Sequence, residues 1–157
     1  CDFLEFQAKA GVDVLMLFDT WSHMIPNEYW KELAIDPIQT IIAELKKRKV
    51  ECPIIGFPFK AGEKLIQYSY ETRVDVVSID WNTDLEWACR NINQDVITQG
   101  NVDPLLMTVK DVDLINQSII KTMNIVKNRP HIFNVGHGLT PECLPKNINH
   151  VIKIVKG

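Results

Sequence analysis

Two kinds of apolar pattern alternate along the chain. Five short runs rich in β-branched and aromatic residues, Val12–Phe18, Pro53–Pro58, Val74–Ile79, Val96–Gln99 and His131–Val135, have the length and content of strands. Most are continuous rather than alternating, as in strands covered on both faces of a parallel sheet. Between them, apolar residues recur at helical spacing. Ile38, Ile41, Ile42 and Leu45 form one stripe, with Asp36-Pro37 as N-cap and first-turn proline. Thr83-Asp84-Leu85-Glu86 has the form of a capping box and opens a helix running to Arg90. Ile115, Ile119, Met123 and Val126 make a third stripe, opened near Asp111; Ile148, Val151, Ile152 and Val155 make the last. A weaker pattern predicts a short helix from Gly62 to Tyr70. Phe3, Leu4 and Ala8 to Ala10 read as the end of a helix stopped by Gly11.

The resulting β-α rhythm implies one α/β domain, with a parallel sheet and right-handed crossovers. Two architectures satisfy it: an open doubly wound sheet, or part of an eight-stranded barrel. No GxGxxG follows the first strand and no P-loop occurs, which disfavours the nucleotide-binding open sheet. Residue 1 already lies inside a helical pattern, which predicts a fragment of a longer chain, a short processed N-terminus being the alternative.

Composition narrows the class. Of the 157 residues, 46% are hydrophobic and 24% charged, the balance of an ordinary globular domain. A net charge of −3 gives no reason to expect a nucleic-acid partner. The basic run Lys46-Lys47-Arg48-Lys49 ends a predicted helix, where cations suit the dipole, and reads as a solvated helix end. Cys1, Cys52, Cys89 and Cys143 form no CxxC pair and are expected as free thiols. No apolar run is long enough to span a membrane, so no membrane partner is expected. No strand end carries a His-x-Cys pair or a converging set of ligands, so no metal is expected.

In either architecture ligands bind at the carboxyl ends of the strands. Those ends read Phe18-Asp19-Thr20-Trp21, Phe59-Lys60, Asp80-Trp81, Gly100-Asn101-Val102-Asp103-Pro104 and Gly136-His137-Gly138. All five deliver polar groups, three of them with an aromatic, to one rim, which predicts a pocket there. His137 stands between two glycines that would let backbone approach a ligand or adopt positive φ. It either binds a carboxylate or moves a proton, or is tied to a neighbouring carbonyl for structural reasons. Lys60 is equally open between attracting an anion and being an ordinary exposed lysine. Asp19 and Asp80 could be acids in a site, but a turn role, bonding backbone N–H groups, is the expectation for Asp80. His23, His131 and His150 are expected to be surface or structural, and the tryptophans to be packing.

Four of these segments together resemble the uroporphyrinogen decarboxylase family. Leu17-Phe18-Asp19-Thr20-Trp21 is similar to its L-F-D-S/T-W run and Asp80-Trp81 to its D-W pair. Gln99-Gly100-Asn101-Val102-Asp103-Pro104 is similar to its Q-G-N-x-D-P, and Phe133-Asn134-Val135-Gly136-His137-Gly138 to its F-N-L-G-H-G. They occur in family order over nearly the whole chain. The resemblance implies the last five βα units of a (β/α)8 barrel. It also implies a cytoplasmic homodimer that takes the carboxyl groups from the four acetate side chains of uroporphyrinogen, giving coproporphyrinogen, without metal or prosthetic group. Protonating a pyrrole carbon makes the substrate ring its own electron sink, so the protein has only to bind and stabilise it.

By the same resemblance, Thr20 is a hydroxyl contact to substrate, His137 contacts a substrate carboxylate and Phe18 lines the pocket. The family's ring-facing aspartate, its arginines and its binding tyrosine precede this segment, so no catalytic residue is expected here and the chain alone is expected to be inactive. Departures at Cys143 and Leu144 put the shape of that loop in question. A five-stranded arc is also expected to leave Val12–Phe18 and His131–Val135 as unpaired edges. Two other readings compete: a cobalamin-linked zinc methyltransferase on the same barrel, and a non-enzymatic remnant. The methyltransferase's zinc-ligand position would here read Ile55-Gly56-Phe57-Pro58, which supplies no ligand.

Overall fold

A computed structural model describes residues 1–157. Six helices and five strands alternate: α1 (Asp2–Lys9), β1 (Leu15–Asp19), α2 (Asp36–Lys47), β2 (Ile54–Pro58), α3 (Lys64–Glu71), β3 (Val76–Ser78), α4 (Leu85–Asn91), β4 (Ile97–Val102), α5 (Val112–Val126), β5 (His131–Val135) and α6 (Pro145–Lys156). Every strand pairs in parallel with its neighbour in sequence, in the order β1-β2-β3-β4-β5. The arrangement is five consecutive βα units of a barrel, with β1 and β5 as the two edges.

The register sorts side chains between the two faces. Leu15, Ile54 and Val77 face outward with Ile79, against Ile42 and Leu45 of α2, Leu65 and Tyr68 of α3, and Ala88 of α4. Burying each large side chain in that layer stabilises by about 1.5–3 kcal/mol. Gly56 is the exception that the packing requires, because a Cβ there would lie 2.9 Å from Cε1 of Tyr68. A smaller cluster under α5 and α6 joins Val102, Met107, Ile115, Ile119 and Val151. Asn147 locks it by donating to the carbonyls of Met107 (3.1 Å) and Val109 (2.8 Å).

On the inner face Ile55, Phe57, Val76, Ser78 and Gln99 are buried although the sheet is open. Curvature accounts for this. Gln99 Nε2 on β4 donates to Ser78 Oγ at 3.1 Å and lies 4.0 Å from Met16 Sδ on β1, across the concave side.

The amino end of the sheet is tied by side chains. Arg48, just beyond α2, pairs with Asp2 and Glu5 of α1 and with Glu44. Hydrogen bonds from Arg48 hold the Asp2 and Glu44 carboxyls below their ordinary range, and Glu5 is lowered first by its hydrogen bond from Lys9 and then by that from Arg48. Arg129 donates to the carbonyls of Cys89 (2.7 Å) and Val96 (2.8 Å), joining α4 to β4. His131 is half-buried, with Nδ1 2.9 Å from Thr98 Oγ1 and Nε2 2.8 Å from the Gly100 carbonyl. A carbonyl only accepts, so Nε2 carries the proton and Nδ1 accepts from the threonine. Burial lowers the pKa of this imidazole.

Several local expectations are corrected. Val12–Val14 precede β1 and are exposed, and β3 is only three residues long. β4 runs three residues past Gln99, so Gly100, Asn101 and Val102 belong to the strand. Asp36 caps nothing: a wide π-turn over Lys31–Ile35 leads directly into α2. That wider turn precedes Pro37, which has no N–H to give to a regular α-turn. Asp36 bonds Lys31 Nζ instead, at 2.9 Å. The cap of α4 is Asp84, accepting from Trp87 N at 2.7 Å, not Thr83. Arg48 is an ion-pair hub rather than a solvated helix end. No helix is long and apolar enough to cross a membrane.

Candidate active site

The carboxyl ends of the strands form one rim, and each is fixed by backbone-directed bonds. At β1 the carbonyl of Asp19 accepts from Phe59 N at 3.1 Å, and buried Ser22 returns the contact by donating to the Phe59 carbonyl at 2.8 Å. Lys64 Nζ holds the far side of the same loop through the Ile25 carbonyl at 2.9 Å. The loop carrying Thr20, Trp21 and His23 is therefore set against β2. Asp19 is half-buried, and desolvation raises its carboxyl pKa against the opposing hydrogen bonds from the N–H groups of Trp21 and Ser22.

Asp80 is buried and bonds the turn after β3: Oδ1 accepts from Asn82 N at 3.0 Å and Oδ2 from Thr83 Oγ1 at 2.9 Å. Its expected turn role is what the geometry displays. Asn101 extends the same turn, donating to the carbonyls of Asp80 (3.0 Å) and Thr83 (2.7 Å). Gly136 N then donates to the Val102 carbonyl at 2.8 Å. A Cβ on Gly136 would fall 2.8 Å from Trp81 Cα, so the close approach of the backbone that follows β3 requires the glycine. Gly138 has open space around it.

These contacts place His137 in an aromatic wall. Its ring centroid lies 4.7 Å from Phe59, 5.5 Å from Trp81 and 6.1 Å from Phe57. Phe18 meets Phe57 edge-on at 6.2 Å and is 68% exposed, so its ring fronts the concave side as a free apolar surface. Thr20, Lys60, Asp80, Asn101 and His137 thus share one end of the sheet. Thr20 is exposed one residue past β1, and Lys60 Nζ stands 5.2 Å over the Phe59 ring.

Two members of the rim have a place in it that the sequence does not reveal. Phe59, beyond the strand, is the ring on which the others converge; its place between two loops is a tertiary fact. His23, expected to be surface or structural, is exposed; it also stacks on Trp21 (6.2 Å, 27°) and meets Phe59 edge-on at 5.8 Å. Trp81 does pack, but against His137 and Phe59 at the rim; only Trp30 is a core tryptophan. No three His, Cys, Asp or Glu side chains converge as metal ligands would.

A family model described as uroporphyrinogen decarboxylase (URO-D) matches residues 1–157. Curated relatives of that name agree. The protein of Jannaschia sp. (strain CCS1) is 37% identical over 99% of this chain and 45% of its own length. That of Cereibacter sphaeroides (strain ATCC 17025 / ATH 2.4.3) is 38% identical over 99% and 46%. The chain therefore spans somewhat less than half the length of the curated relatives it matches. Among solved structures, a methyltransferase from Methanosarcina mazei superposes with a TM-score of 0.82 over 97% of this chain and 44% of its own, at 12% identity. That likeness bears on the fold alone.

Proposed function

Because the chain belongs to the uroporphyrinogen decarboxylase family, we propose that it is the C-terminal portion of a (β/α)8 enzyme that converts uroporphyrinogen III to coproporphyrinogen III. The observation that carries the reading is the whole-chain family match, 37–38% identical to two decarboxylases. The convergence of the matched segments on one rim supports it. In this reading His137 donates a hydrogen bond to a substrate carboxylate, Thr20 offers its hydroxyl, and the exposed face of Phe18 lines the macrocycle's pocket.

The chemistry asks for little more from this part of the protein. A pyrrole carbon takes a proton; the bond between the acetate methylene and its carboxylate breaks, and CO2 leaves. The electron pair passes into the protonated ring. The methylene then gains a proton, the ring loses one, and a methyl group remains. No outside oxidant, reductant or cofactor enters that balance. The aspartate that faces the pyrrole N–H groups and the anion-binding arginines belong, by the family resemblance, to the portion preceding Cys1. The 157 residues alone are accordingly inactive in this reading. The homodimeric, cytoplasmic state implied by the resemblance is part of the same proposal.

The test is to incubate the complete protein with uroporphyrinogen III under reducing conditions and resolve the products by carboxyl number. Stepwise loss of four carboxyl groups is expected, with metal-free protein fully active. Stoichiometric zinc, or absence of coproporphyrinogen, would move the reading to the zinc methyltransferase or to a remnant.

A further inference from the structure

The four histidines divide cleanly. His131 and His150 are hydrogen-bonded within the fold, the latter through Nε2 to Asn116 Oδ1 at 2.7 Å. His23 and His137 make no such bond, and both rest on one ring, Phe59, at 5.8 and 4.7 Å between centroids. The Lys60 ammonium lies 5.2 Å from the same ring. None of the three pairs with a carboxylate, since every ion pair in the chain involves other residues.

We propose that His23 is a second carboxylate-binding imidazole of the rim, acting with His137 and Lys60 around Phe59 on a ligand that carries several carboxylates. The identity of that ligand as a uroporphyrinogen rests on the function proposed above; the site itself does not. The imidazole is exposed but not free to wander. Neighbouring Ser22 is fully buried and bonded to the Phe59 carbonyl, and Trp21 covers one face of the ring. An orienting stack with unused N–H capacity suits an imidazole that must meet an anion. The neighbouring carboxyl, Asp19, has its pKa raised first by burial, and the charge of His23 is the smallest of the effects that oppose this. A macrocycle with carboxylates around its whole perimeter needs donors spread along the rim, and His23 and His137 stand on different loops about the same ring.

The test is equilibrium binding of uroporphyrin I, the non-reactive octacarboxylate, to the complete protein, followed by quenching of tryptophan fluorescence. Phenylalanine keeps the stack on Trp21 and removes the nitrogens, so H23F separates recognition from packing. H23F and H23A are both expected to raise Kd about fivefold, the weight of one hydrogen bond at a solvent-exposed rim. An H23F protein that binds like wild type overturns the proposal, as does wild type that binds no uroporphyrin. If the larger ring disturbs the turn, H23A decides alone, and an unchanged Kd in it is equally fatal. Decarboxylation by wild type is read in parallel. Weakened H23F binding with no wild-type turnover keeps the carboxylate site and removes the decarboxylase; turnover with unchanged H23F binding does the reverse.

Discussion

His131 opens β5 and His137 follows it, and the two ends of the sheet use the same residue types in opposite ways. At the amino end the cationic and imidazole groups are consumed by structure: Arg48 by three carboxylates, Arg129 by two carbonyls, His131 by a threonine and a carbonyl. At the carboxyl end His137, His23 and Lys60 face aromatic rings and have no polar partner, while the bonding that holds the rim is done by Ser22, Asp80 and Asn101, with Lys64 as the one cation used structurally there. Where charge is internally neutralised it stabilises; where it is left available beside apolar surface it can recognise something else. The division agrees with the general rule that barrels place chemistry at the carboxyl face and stability at the other.

Changes at either end should break or sharpen this contrast. The largest expected effect is Gly136→Ala, which pushes a methyl into the backbone of Trp81 and Asp80. A loss of roughly 2–4 kcal/mol is expected in chemical denaturation. An unchanged midpoint would mean that the rim is looser than its contacts indicate. Arg129→Met should follow at about 2 kcal/mol, from two part-buried carbonyls left without donors. Its kcat/KM per folded molecule should not change; a large activity loss without destabilisation would erase the distinction between the ends. His137→Ala should do the opposite. In the complete protein kcat/KM falls by the equivalent of about 1–3 kcal/mol while the thermal midpoint stays near wild type.

Thr20→Val should lower kcat/KM by about 1 kcal/mol and Thr20→Ser by less, because serine keeps the hydroxyl. The smallest effect is in pH. Burial lowers the pKa of His131 in the folded state, so the unfolded chain binds its proton first as pH falls through about 6.5. Stability should be full above that value and decline below it, and His131→Gln should flatten the slope between pH 7.5 and 5.5.

Much of the fold was legible because strand content and helical spacing are local properties. His131–Val135 was bounded correctly, since Pro130 and Gly136 punctuate both ends. β4 was cut short because Gly100 reads as a turn, whereas its φ of +122° serves a close approach to the Ile79 carbonyl. The cap at Thr83 was misassigned by one residue because Asp80, three positions earlier, claims the threonine hydroxyl. At the site, the strand-end rule located Thr20, Phe18 and His137 on one rim. It could not find Phe59 as a hub or His23 as its neighbour. Those depend on two loops from different strands meeting, which the Ser22 bond arranges and no local pattern records.

The neighbour-by-neighbour order of the strands also has a kinetic meaning. Each new strand needs only the one made before it, so the loop closed at every step is a single helical excursion. The nascent chain can therefore add to the sheet in the order in which it leaves the ribosome, β2 upon β1 and so on to β5, without waiting for distant sequence. Until something covers them, β1 and the most recently added strand are the two adhesive edges. The order of synthesis is thus one that assembly is free to follow.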